Sequence, residues 1–391
     1  MALRQILALS AFLLPQLAAG SPRLAQPAPG VSFEEASRRA AAARDGGDPS
    51  EAIRGYREGV RLRPSWDEGW WYLGALSYEK GDGAEAARAF ARFVELKPDS
   101  GPGWALLGLS EFQRRDYDAA LADLTRGLSL GTVGNAEIRD AVYYHLAALR
   151  IRGGQFELAV EPLTTLAHTQ PESPSLVAAC GLLLLREPHL PSGIPAAKRE
   201  VVDAVGRAAY ASMGGRPEAR ERFEDAIRRF PQTPGLHYGY GGYLRQQGAD
   251  QAKAAIEQFE KEIAVNPKTV YARLEIAFEL MKQGEHAAAV PYAEEAVRLA
   301  PGLFVPHFAL GRALVETGQL EHGIAAFEKA VSLAPDVPET RAALARAYVQ
   351  AGRRADAERE RLAFQKLQAR RAGPRLPGFA REDAGREESK P

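Results

Sequence analysis

The side chains of this 391-residue chain best suited to chemistry are seven histidines, one cysteine and paired carboxylates such as Glu294-Glu295. Metal binding or acid–base work needs two or more such groups converging on one face. The histidines are scattered, and neither an HExxH nor a CxxC spacing occurs. His286 and His322 each follow a glutamate and fall at turns between helical segments, where a solvated ring is expected. Cys180 has no second thiol for a disulfide, and its apolar setting, Leu176–Leu185, suits a small core residue better than a nucleophile. Glu294 and Glu295 lie on the solvent side of an amphipathic pattern. The glycine-rich piece Gly235–Gly242 (GLHYGYGG) does not follow a strand, so its glycines read as helix-packing positions and not as a phosphate cradle. No GxSxG or kinase-type pattern appears. The chain reads as non-enzymatic, with no cofactor and no metal.

The elements that would carry these side chains are set by a repeat. In Val270–Asp336, the residues Ala277, Gly284, Ala289, Ala296 and Pro301 recur about 34 positions later as Gly311, Gly318, Gly323, Ala330 and Pro335. Small residues follow small ones, turn glycine follows turn glycine, and proline follows proline. A fixed period of this length means stacked hairpins whose apolar sides are covered by their neighbours. Hydrophobic content of 46% supplies the core. The 50 basic and 50 acidic side chains cancel, and no polybasic run occurs, which argues against nucleic acid as a partner.

The ends read differently. Arg4, the largely apolar Ile6–Ala19 and the small residues Ala18-Ala19-Gly20 form an export signal with cleavage before Ser21. An uncleaved anchor is the alternative, and a membrane partner is expected only in that case. No cysteine follows the apolar run, so no bacterial lipid anchor is expected there. Residues 21–32 read as a flexible leader, and 372–391 as a disordered tail. No later segment has the roughly 20 apolar residues a membrane span needs.

The clearest copy is Asp67–Ser100. Trp70, Leu73 and Gly74 share one helical face, Gly81-Asp82 makes a turn, Ala86, Phe90 and Phe93 line a second helix, and Pro98 ends it. Gly74 and Ala86 are expected to be small because the two helices cross there, with Trp70 and Phe90 filling the space on either side. This order resembles the tetratricopeptide repeat family. The resemblance extends from Phe33 to Arg371. Phe33–Trp66 is a worn first copy; Gly101–Gly134 repeats the pattern with Trp104, Leu107 and Gly108. Asn135–Arg139 reads as an insertion before Asp140–Ser173. Pro174–Arg186 supplies a first-type helix, and the prolines of Glu187–Ala196 forbid continuous helix. Glu200–Thr233 departs from the family at Arg207, where a small residue is expected. Pro234–Thr269, Val270–Leu303, Phe304–Val337 and Pro338–Arg371 complete the array, and the charged final helix, Ala355–Arg370, reads as its closing cap. The resulting domain reading is 33–173 and 200–371 as two repeat blocks, with 174–199 an irregular insert whose proline-rich break could act as a hinge.

The resemblance implies an all-α, right-handed superhelical solenoid of nine or ten helix-turn-helix repeats, whose first helices line a concave groove. On that placement the first half of the groove carries Trp71, Tyr78, Phe112 and Tyr144. The second half carries Tyr238, Arg245, Phe278, Phe308, Arg312 and Arg346. Aromatic residues and arginine dominate binding hot spots. The Lys and Asn clamp that some family members close on a C-terminal carboxylate is replaced here by Trp71 with Ala75 and by Tyr144 with Ala148, so that ligand is not implied. The expected partner is a protein or peptide, extended or helical, and the arginine row suits an acidic portion of it. The expected setting is the periplasm or exterior of a bacterium, in assembly of an envelope complex. A structural subunit acting through its convex face is the alternative.

Overall fold

The computed structural model describes residues 31–131 and 136–372, with side chains as far as Arg370. The export signal, most of the leader and nearly all of the tail lie outside the described residues. Nineteen α-helices and no strand occur among them. The chain divides into two compact units, the first ending at Pro231 and the second starting at Gln232.

In the first unit the helices are α1 (Phe33–Asp45), α2 (Pro49–Leu62), α3 (Asp67–Glu79), α4 (Gly83–Leu96), α5 (Gly101–Gln113), α6 (Tyr117–Leu130), α7 (Ala136–Arg152), α8 (Phe156–Thr169), α9 (Pro174–Leu185), α10 (Arg199–Met213) and α11 (Ala219–Arg229). The second unit holds α12 (Leu236–Gln246), α13 (Ala252–Val265), α14 (Val270–Lys282), α15 (His286–Leu299), α16 (Phe304–Glu316), α17 (Leu320–Leu333), α18 (Pro338–Gln350) and α19 (Arg354–Ala372). Within each unit, consecutive helices pair as hairpins and each hairpin stacks on the next. Both units are thus solenoid-type arrays of helical hairpins.

Five hairpins close on one contact of matched size. Gly74 lies under the Phe90 ring, and a Cβ there would come within 2.9 Å of it. The pairs Gly241–Phe259 and Gly311–Phe327 repeat this at 2.6 and 2.7 Å. Gly108 meets Leu124 at 2.7 Å in the same way. Where the first helix carries Ala277 instead, the facing residue shrinks to Ala293, and both are buried. Phe90 therefore sits on Gly74 itself and does not flank it. Interiors are packed like crystals, so volume added on one helix must be removed from the other.

Turns between paired helices follow one geometry. Gly81 takes a φ of 78°, its N–H donates to Tyr78, and Asp82 N–H reaches back to Ser77 at 2.9 Å. These bonds satisfy the last helical carbonyls. Arg115 occupies the same place after α5 with a φ of 65°, in a region that favours glycine.

A second device fixes the link between hairpins. The Trp70 indole N–H donates to the carbonyl of Pro64 at 2.9 Å, and Trp104 does the same to Pro98. His307 Nε2 and Arg341 Nε donate to Pro301 and Pro335 at 3.0 and 2.8 Å. Proline ends one helix, and the side chain six residues on ties its carbonyl down.

Two places differ from the sequence expectation. The insertion is helical: Ala136–Arg139 forms the first turn of α7, a helix of 17 residues where α3, α5, α14, α16 and α18 have 13. Around Arg207, the small residue is Gly206, one position earlier, and it faces α9. A Cβ on Gly206 would lie 2.1 Å from the Val177 carbonyl oxygen, and one on Gly181 would lie 2.2 Å from that of Val202. Backbones touch there, which only glycine permits. Arg207 points outward to Asp203 and Glu172 at 3.0 and 2.6 Å. Helix α10 therefore packs as partner to α9 and again to α11. The loop between α9 and α10 holds two short 3-10 turns, buries Ile194 against α9 and α10, and is closed by a Lys198–Glu187 ion pair of 2.6 Å.

Candidate functional site

Among the described residues, no three His, Cys, Asp or Glu side chains gather as a metal site, and no helix is long and apolar enough to cross a membrane. Cys180 is fully buried in the core shared by α7 to α10, and burial pushes its thiol up to about 12. His145 is packed between Phe112 and Tyr144, with ring centroids 4.6 and 5.2 Å away. Burial lowers its pKa, and its Nδ1–H donates to the Ala141 carbonyl at 2.7 Å. Glu295 is held by both guanidinium arms of Arg298, at 2.7 and 2.6 Å. That hydrogen-bonded partner keeps its carboxyl below the usual range.

The first-helix side chains fall into two groups. Trp71 is half-buried against Phe93 and Phe90, at 5.0 and 5.8 Å. Tyr78 on α3 is hydrogen-bonded to Gln113 on α5, and Tyr144 on α7 to Ser175 on α9. Phe112 stacks edge-on against Tyr117 at 5.3 Å. Trp71 and Phe112 thus pack on the second helix of their own hairpin, Tyr78 and Tyr144 reach the next first helix, and all four are half-buried. In the second unit, Tyr238 leans on Phe259 and Phe308 on Phe327, both at 5.8 Å. Phe278 is half-buried. Arg245 faces Glu275 across to α14 at 3.4 Å. Arg312 and Arg346 are exposed.

Sequence reasoning missed two features. Glu111 of α5 lies against Asp123 of α6, and its Oε2 is buried. A carboxylate pair split between two helices leaves no local pattern. The outer groove between second helices was also missed. A cavity of about 320 Å³ lies over Val60, Trp70, Leu73 and Ala89, with Arg57 bridging to Glu85 at 2.7 Å along its edge. In the second unit a cavity of about 530 Å³ occupies the same register, over His307, Leu310 and Ala326.

Stacked helical hairpins that present aromatic and arginine side chains on their first helices, with no assembled reactive group among the described residues, define a repeat array built for contact. The tetratricopeptide repeat family matches at residues 37–101, 206–252, 249–303 and 306–337, so the chain carries tetratricopeptide repeats. No curated protein matches it. Among solved structures it is similar to MamA 41-end from Desulfovibrio magneticus RS-1 and to a MamA RS-1 double mutant. Each is 24% identical at a TM-score of 0.40, over 44% of this chain and 98% of that one. It is also similar to YrrB, described as a TPR protein with an unusual peptide-binding site, at 19% identity and a TM-score of 0.39, over 44% of this chain and 90% of that one. These likenesses are too distant to say what this chain binds.

Proposed function

We propose that this protein is a non-enzymatic scaffold, exported from the cytoplasm, that binds another polypeptide along the face of its first helices and so helps assemble an envelope complex. The observation that carries this reading is the recurrence of half-buried aromatic side chains on the first helices of each unit, Trp71, Phe112 and Tyr144 in one and Tyr238, Phe278 and Phe308 in the other. Such side chains bring large contact area at little entropic cost. The tetratricopeptide repeats support it, and the N-terminal export signal read from the sequence supports the location.

The test is a crosslinking pull-down from the native envelope fraction, with parent and with Trp71, Tyr144 and Phe308 each changed to Ala. Loss of at least one hot spot should cost about 2 kcal/mol, roughly thirtyfold in affinity, in a variant with unchanged circular dichroism. Undiminished capture by all three moves the contact elsewhere. Export is checked by sequencing the mature N-terminus, with Ser21 expected first. A second reading, a structural subunit working through its outer face, is favoured by the cavities that recur in the same register of both units. Under it, Leu310→Glu, at a half-buried position of the outer cavity, abolishes capture in a folded variant, and the changes at Trp71, Tyr144 and Phe308 do not.

A further inference from the structure

The first-helix position that ties down the proline carbonyl can take a second partner, from the other helix of its own hairpin. That partner is the residue just before the one that meets the first-helix glycine. His237 holds the first-helix position in α12, and its Nδ1–H donates to Oε1 of Gln258, which precedes Phe259 in α13, at 2.8 Å. Arg341 holds it in α18 and donates at 2.7 Å to Glu360, which precedes Arg361 in α19. Each filler matches what it meets: an amide oxygen for a ring N–H, a carboxylate for a guanidinium. Two hairpins have alanine in the filler position, Ala89 before Phe90 and Ala326 before Phe327. These two alanines line the outer cavities, the first with Trp70 and the second with His307.

The two cavities offer different chemistry. An indole is larger than an imidazole, and the cavity beside Trp70 is the smaller, about 320 Å³. The only N–H of that indole is spent on Pro64, so it has no polar atom left for a ligand. The cavity beside His307 is about 530 Å³. His307 Nε2–H donates to the Pro301 carbonyl at 3.0 Å, so Nδ1 of the neutral ring is an acceptor. Nδ1 makes no hydrogen bond among the described residues. Leu310 and Leu314 supply apolar walls. Glu294 and Lys329 stand at the edge, both exposed and neither in an ion pair among the described residues, and their charges cancel.

We propose that this cavity, between α15, α16 and α17, is a seat for a glutamine side chain of another polypeptide. Its amide N–H donates to His307 Nδ1 while its methylenes lie on Leu310 and Leu314. The chain carries its own template: the place that Gln258 takes beside His237 is left open beside His307 by Ala326. Because Nδ1 of His307 accepts where that of His237 donates, the ligand must bring an N–H, and a carboxylate has none. An ammonium has one but would carry its charge out of water onto apolar walls. A carboxamide donates without that cost, and the balanced edge favours a neutral head. A cavity of this volume is at the small end of the range for ligand sites and takes one side chain with the backbone that bears it. The polypeptide occupant rests on the outer-face reading; the probe below needs no native partner, so the two can fail separately.

The experiment records imidazole proton–nitrogen correlations of the full chain, labelled at histidine, as N-acetylglutamine methylamide is added. The alanine and glutamate analogues and free glutamine serve as controls. His307 is the signal missing from folded His307→Gln. That signal should shift saturably, with half-saturation at roughly millimolar probe, and each control should need at least ten times more. Ala326→Gln should shift the same signal in the same direction with no probe present, and should abolish the titration. Its circular dichroism should match the parent, because Gln258 fits the equivalent place in α13. No saturable shift of His307, an equal response to the alanine or glutamate analogue, or an undiminished titration in Ala326→Gln overturns the seat. Tighter binding of free glutamine than of the capped probe overturns the polypeptide occupant. Native capture that survives Leu310→Glu removes the outer-face reading and, with it, that occupant, while a saturable His307 shift would still stand for the seat.

Discussion

Glu111 shows how one side chain makes this fold sensitive to pH. Burial first, and then the Asp123 carboxylate, push its carboxyl up to about 8, while burial raises Asp123 as well. The pair is stable when it shares a proton. Arg114 opposes the shift of Glu111, and Arg126 opposes that of Asp123. A folded-state pKa above the unfolded carboxylate value means the fold keeps a proton that the unfolded chain has released. That stability is complete below the unfolded value and is lost as pH rises toward about 8. Glu111→Gln imitates the protonated form. Urea midpoints measured from pH 5 to 9 should fall for the parent, stay flatter for the variant, and place the variant above the parent at the alkaline end. None of this was legible in the sequence, because the two acids are joined only by the crossing of α5 and α6. The proline-carbonyl ties were half legible. Trp70 and Trp104 stood out as repeat positions, but their role emerges only when His307 and Arg341 are seen donating to the same backbone atom.

At the scale of the element, the hairpin is governed by reciprocal size. Gly311→Ala pushes a methyl group into the Phe327 ring and should destabilise the second unit by about 1–3 kcal/mol. Phe327→Leu alone opens space and is destabilising too. Together they should cost less than the sum, with a coupling of about 0.5–3 kcal/mol in a double-mutant cycle followed by thermal unfolding. Strict additivity would show that the two side chains do not share one space. Helix existence and pairing were legible because proline, turn glycine and small residue recur at fixed places. The size match was not, since a single copy shows a small residue and a large one without saying that they touch. Five copies laid side by side do say it: Gly with Phe in three, Gly with Leu in one, Ala with Ala in one. The start of α7 escaped for another reason. Ala136–Arg139 has no proline or glycine to stop helix from growing backward, so a stretch that breaks the period still folds as part of an element.

For the molecule, stacked helical hairpins were readable from the period, and the resemblance of their residue order implied tetratricopeptide repeats, whereas the accessibility of their faces was not readable. Ala75 and Arg312 occupy one sequence register, yet one is sealed and the other open. Exposure depends on how closely neighbouring first helices approach, which the residues of a single repeat do not encode. The last described hairpin illustrates the opposite case. At the positions where α4 presents Ala87, Phe90, Ala91 and Val94, helix α19 presents Glu358, Arg361, Leu362 and Gln365, all of them exposed. Arg361 is paired with Glu358 at 3.6 Å. A largely charged face of this kind disfavours the stacking of another helix on it. Glu358→Ala with Arg361→Phe should restore an apolar seat and produce concentration-dependent association by sedimentation velocity. A variant that associates no more than the parent would show that other features guard this end.

The double duty of α10 limits how such a chain can change over evolutionary time. Most of its hairpins are cassettes: one could be duplicated, deleted or exchanged at a proline boundary without wounding its neighbours. The three helices α9 to α11 cannot be dealt out in that way, because the glycine seam of Gly181 and Gly206 welds α10 to α9 while α10 also pairs with α11. Lineages that gain or lose repeats should do so on either side of this trio, and the trio itself should be inherited whole.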